Sequence, residues 1–145
     1  MEEDRQQLIL VVEDQAEHLQ IIEQVLSDDA DNARIVVIST TTEATDFILR
    51  KGQHTQSQRP DIVLLNMRLA DAQAHTLLST IKTNPQLKQI PTIILTPDAS
   101  QADILSSYQQ QCNSFVIKPQ NSTHLSETLQ VVKSFWLSLV TLPAK

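Results

Sequence analysis

Leu8-Ile9-Leu10-Val11-Val12 runs directly into Glu13-Asp14. Five consecutive apolar residues, three of them β-branched, are what a strand covered on both faces requires; a strand with one wet face would alternate. Runs of the same kind recur at Ile35-Val36-Val37-Ile38, at Asp61-Ile62-Val63-Leu64-Leu65 with Asn66 at its end, from Pro91 to Leu95, and from Ser114 to Ile117. Helical spacing fills the gaps: Leu19, Ile22, Val25 and Leu26; Ala44, Phe47 and Ile48; Leu77, Leu78 and Ile81; Ile104, Leu105 and Tyr108. Asn84-Pro85 stops the third of these helices. The polar stretch from Lys51 to Pro60 reads as a loop. A last helix starts at Ser122 and is expected to reach about 142, with Glu127 or a nearby polar residue helping to cap it.

Five apolar strands alternating with five helices imply an α/β fold, a doubly wound parallel sheet covered on both faces. The expected order is 2-1-3-4-5, flavodoxin-like, in a single domain over residues 1–145. The switch point of that order lies between strands 1 and 3, so a functional crevice should open at the C-terminal strand ends. The residues there are Glu13 and Asp14, Asn66, Thr96 and Lys118.

Composition removes several function classes. Lys plus Arg number 11 against 17 Asp plus Glu, a net charge of −6, which disfavours nucleic acid and anionic membranes as partners. The longest apolar run, Leu8 to Val12, is too short for a membrane span or a signal-peptide core. Cys112 is the only cysteine, so no intrachain disulfide forms, and a reducing, cytoplasmic setting is expected. Gly52 is the only glycine. Phosphate loops, dinucleotide fingerprints and nucleophile elbows all need several. The four histidines are scattered without ligand spacing, no nucleophile–base pair is suggested, and no enzymatic activity is expected.

Taken alone, Glu13 and Asp14 fit two readings. They could hold a divalent cation with water completing its shell, or one could cap the first helix while the other is solvated. Thr96 and Lys118 mean little singly. Together with Pro60-Asp-Ile-Val-Leu-Leu-Asn66-Met-Arg-Leu69, Ile90-Pro-Thr-Ile-Ile-Leu-Thr96 and Phe115-Val-Ile-Lys118-Pro119, they resemble the receiver domain of two-component response regulators. The long loop before strand 3 and the ending Phe135-Trp136-Leu-Ser-Leu-Val-Thr-Leu-Pro143 are similar to single-domain response regulators of phytochrome-type histidine kinases. The resemblance implies that an Asp ending strand 3 would accept a phosphoryl group from a histidine kinase. It also implies that Glu13 and Asp14 hold Mg²⁺, that Thr96 and Lys118 bind the phosphoryl oxygens, and that Phe115 reports the state.

The acceptor position departs from the family: it is Asn66. Phosphoryl transfer to a carboxylate needs an anionic oxygen nucleophile, and a neutral amide oxygen is a poor one. The amide also removes a negative charge from the cation site, so Mg²⁺ should bind weakly at best and no other cofactor is expected. Pro97 is a second departure. The family uses the backbone N–H of that residue toward the phosphoryl group, and proline has none. Ala70, Ala74 and Gln111 stand where Pro, Gly and Gly are usual.

The last helix carries more apolar residues than one buried face needs. Leu125, Leu129, Val132, Trp136 and Leu139 form the stripe expected on the sheet, leaving Val131, Phe135, Leu137, Val140 and Leu142 as an expected homodimer interface. The expected function is a phosphorylation-independent pseudo-receiver acting by protein contacts, with a sensor histidine kinase or another signalling protein as further partner. The alternatives are an active phosphoacceptor with an unorthodox site, or an unrelated enzyme on the same fold.

Overall fold

The computed structural model describes residues 7–27 and 33–144. In chain order the elements are β1 (Gln7–Val12), α1 (Ala16–Leu26), β2 (Ala33–Ile38), α2 (Thr41–Leu49), β3 (Ile62–Leu65), α3 (Ala74–Thr83), β4 (Thr92–Thr96), α4 (Gln101–Gln109), β5 (Ser114–Ile117) and α5 (Ser122–Lys133). The strands pair in parallel in the order β2-β1-β3-β4-β5, as the alternating pattern predicts. The loop expected between Lys51 and Pro60 contains one 3-10 turn, Gly52–His54.

The unbroken apolar strands fill two cores, one on each sheet face. Leu8, Leu10 and Val12 point into the layer shared with Phe47 and Ile48 of α2 and Leu77, Leu78 and Ile81 of α3. Ile9 and Val11 point the other way, against Ile22 and Leu26 of α1 and Leu125 and Leu129 of α5. This is the two-residue alternation of a strand with no wet side. Cys112 is buried in the first layer, as a small hydrophobe should be.

The register carries the backbone one residue past each strand into the crevice. Glu13 N–H donates to Ile38 O, Asn66 N–H to Val12 O and Lys118 N–H to Thr96 O. These bonds hold the backbone of three crevice residues rigidly in the sheet rather than on free loops.

The C-terminal region bears out one alternative and corrects two expectations. The cap of α5 is Asn121, whose side-chain oxygen accepts from Thr123 N–H and His124 N–H; Glu127 lies inside the helix. The helical run stops at Leu139 rather than near 142: α5 passes into a π-helical turn, Ser134–Leu139, and Val140 is extended ahead of Pro143. The wider π turn also rotates the faces. Leu137 packs against the core with Trp136, whereas Leu139 is 73% exposed. The expected roles of these two leucines are therefore exchanged. Val140 and Leu142 are half-buried, while Val131 and Phe135 stay exposed.

Candidate functional site

Glu13, Asn66, Thr96 and Lys118 are all buried and converge at the C-terminal edge of the sheet. Glu13 is the hub. Its Oε1 accepts from Lys118 Nζ at 2.5 Å, and its Oε2 accepts from Asn66 Nδ2 at 2.7 Å. Oε2 also takes the backbone N–H groups of Asp14 and Gln15. A carboxylate taken out of water needs a cation and donors to offset its desolvation, and Glu13 has both.

The orientation of Asn66 follows from its neighbours. Its Oδ1 accepts from Arg68 N–H at 2.8 Å while its nitrogen faces Glu13. The opposite flip would set two oxygens against each other and two N–H groups against each other. The amide therefore joins Glu13 to the β3–α3 loop. A carboxylate in its place would present a third negative charge to Glu13 and Asp14.

Asp14 Oδ2 accepts from Ala70 N–H at 2.8 Å, while its Oδ1 is buried without a partner. Thr96 Oγ1 is likewise buried and unpartnered, with 1% of the residue exposed. Phe115 is half-buried against the core, and its backbone N–H donates to Tyr108 Oη. Pro97 follows Thr96 at the rim. The left-handed residue of the β3–α3 loop is Ala72, not Ala70 or Ala74, and Gln111 before β5 has φ 74°. Gln111 thus holds a backbone conformation that glycine adopts at lower cost.

Three contributors were not assigned from the sequence. Arg68 reaches across the crevice mouth: Nε bonds Asp98 at 2.9 Å and an Nη bonds Asp103 at 2.9 Å. Ser100 N–H and then the Arg68 side chain hold the Asp103 carboxyl below its usual range. Asp103 also closes a capping box with Ser100 at the start of α4. Arg68 therefore ties the acceptor loop to the start of α4. Asp71 accepts from Thr41 N–H and Oγ1, anchoring the same loop to α2. Burial pushes its carboxyl up, but the Thr41 and Gln73 donors outweigh that and leave it lowered. His18 is part-buried beside the ion pair; burial first, then Lys118, lowers its pKa. The sequence signal for Arg68 was present, a lone cation two residues past Asn66 with acids at 98 and 103, but linear spacing does not show the crossing.

The family model of the response regulator receiver domain matches residues 9–130. The chain belongs to this family. Response regulator Rcp1 of Synechocystis sp. is 32% identical over 137 residues, 94% of this chain and 93% of that protein. The structure of the Mn²⁺-bound form of Rcp1 superposes with a TM-score of 0.92, covering 95% of this chain and 99% of that one. The phosphorylated cyanobacterial phytochrome response regulator RcpA gives 0.93 at 28% identity, covering 97% of this chain and 100% of that one. A receiver is a signalling module.

A divalent cation at this crevice would meet oxygens already partly engaged by protein donors. Both Glu13 oxygens are engaged, Asn66 Oδ1 is used by Arg68, and only Asp14 Oδ1 is free. Glu13, Asp14 and Lys118 leave one net negative charge. Among the described residues, no group of three or more His, Cys, Asp and Glu is placed to hold a metal. Mg²⁺ is hard and needs six oxygens in near-octahedral array. Calorimetric titration with Mg²⁺ is expected to give a dissociation constant on the order of 1 mM or weaker, and Asn66→Asp should tighten it by about tenfold. Micromolar binding by the unsubstituted protein would contradict this account.

Proposed function

We propose that this chain is a receiver that signals through protein contacts without being phosphorylated. The observation that carries the reading is the Asn66 Nδ2 to Glu13 Oε2 hydrogen bond beside the Lys118 ion pair. Those contacts hold the crevice closed by internal partners, so neither a cation nor a phosphoryl group is needed to order it. Arg68 supports the same reading, because it clasps Asp98 and Asp103 across the mouth. The family's phosphoryl-driven rearrangement has no nucleophile at Asn66 and one donor fewer at Pro97. The chain works as one receiver unit in a cytoplasmic, two-component-type pathway. The likeness to Rcp1 and RcpA makes a phytochrome-type sensor kinase the first candidate for its input.

The outlet for the signal is a surface. The exposed large hydrophobics are Leu105 and Tyr108 on α4, Ile117 on β5, and Val131, Phe135 and Leu139 on α5 and its π turn. Val131, Phe135 and Leu139 step by four along one side of the last helix. Contiguous apolar surface of this kind usually marks an interface. The occupant is a second copy of this chain, through a revised set: Val131, Phe135 and Leu139 at the centre, Val140 and Leu142 at the rim, and Leu137 inside the protomer. Sedimentation is expected to show a dimer at tens of micromolar that is unchanged by acetyl phosphate with Mg²⁺, and about tenfold or more weakened by Val131→Glu or Phe135→Glu. A monomer indifferent to these changes would refute the dimer. Assembly that responds to acetyl phosphate would refute phosphorylation independence.

A further inference from the structure

A cleft lies at the opposite end of the sheet from the crevice, between the segment leaving α2 and the loop joining α3 to β4. Its volume is about 430 Å³, within the roughly 300–1,000 Å³ range of small-molecule sites. Arg50 and Arg59 face it, Leu49 and Leu87 line it with apolar surface, and Gln58 and Asn84 supply amides. None of its lining residues is a carboxylate. Neither guanidinium is ion-paired with an acid among the described residues, in a chain carrying a net charge of −6. Asn84 Oδ1 is already used by Gln86 N–H, which leaves its Nδ2 to donate outward.

The backbone at Arg50 supplies an independent observation. Arg50 caps the C-terminus of α2 with φ 59° and ψ 48°, the left-handed conformation. Glycine is the usual residue in that conformation at a helix end because it has no Cβ to clash. An arginine stands where the backbone disfavours one, and its side chain lines the cleft. Strain of that kind concentrates at ligand sites.

We infer that this cleft binds a small organic phosphate of nucleotide size. The phosphate would lie on the Arg50 and Arg59 forks, which suit phosphate oxygens. A flat apolar portion would lie over Leu49 and Leu87, with Gln58 and Asn84 reading its polar edge. The site is separate from the acidic crevice and does not depend on whether Asn66 is silent.

The test is amide chemical-shift mapping of the full chain in Mg²⁺-free buffer with AMP, adenosine and inorganic phosphate as separate probes. AMP is expected to move the amides of residues 48–50, 58–59 and 84–87 with a dissociation constant on the order of 1 mM or tighter. Adenosine and inorganic phosphate should each bind at least about tenfold more weakly, since each lacks one half of the recognition. Arg50→Gly should lose about tenfold in AMP affinity with no loss of melting temperature, because glycine accepts the left-handed cap. Arg59→Gln gives a second reading that leaves the helix cap untouched. Shifts confined to residues 13–14 and 66, phosphate binding as tightly as AMP, or unchanged AMP affinity in both variants would each overturn the inference.

Discussion

Lys118→Met is expected to cost about 3–5 kcal/mol of folding stability, because it removes one partner of a buried ion pair. Lys118 is 1% exposed and Glu13 2%, and the ammonium sits 2.5 Å from Glu13 Oε1. Removing it strands a carboxylate away from water with its Oε1 lacking a donor. For a chain of 145 residues that loss lowers the melting temperature by roughly 10 °C or more. The double change Glu13→Gln/Lys118→Met should recover most of the loss, because a neutral pair of similar volume has no uncompensated charge. Thermal melts of the two variants check this. A single variant as stable as the parent, or a double variant no better than the single, would show that the pair does not hold the crevice together.

The same pair shows what could be read in advance. The strands were legible because a parallel strand buried on both faces leaves an uninterrupted apolar run, and Leu8 to Val12 or Ile62 to Leu65 can be little else. Strand order then followed from the alternation, and strand order brought Glu13, Asn66, Thr96 and Lys118 to one edge. The contacts among them were not legible. That Glu13 pairs with Lys118 depends on side-chain reach across three strands, and periodicity carries no such distance. Arg68 escaped for a similar reason, since its partners lie 30 and 35 residues away, one before α4 and one in its first turn. The last helix failed differently. A 3.6-residue repeat assigns Leu139 to the buried stripe and Leu137 to the surface, and a π turn starting at Ser134 breaks that repeat. Apolar count alone correctly marked the region as having more surface than the core could cover.

Phosphotransfer gives the second large effect. With acetyl phosphate and Mg²⁺, the unsubstituted protein is expected to gain no phosphoryl mass, because the side-chain oxygen of Asn66 is neutral and already accepts from Arg68 N–H. Asn66→Asp supplies an anionic nucleophile. It also removes the Nδ2 donor to Glu13 and sets three carboxylates around one point, so the variant should depend steeply on Mg²⁺. Its labelling should still be slow. Thr96 Oγ1 is buried and free to donate, and Lys118 could turn from Glu13 once a cation is present, but Pro97 offers no backbone N–H. A missing donor to developing charge commonly costs about a hundredfold in rate. Asn66→Asp/Pro97→Ala should therefore label at least about tenfold faster than Asn66→Asp alone, read by intact mass over time. Equal rates for the two variants would show that the donor after Thr96 is dispensable here. A labile phosphoryl adduct on the unsubstituted chain would overturn the account at its root, because it would mean that a side-chain amide had done the work of a carboxylate.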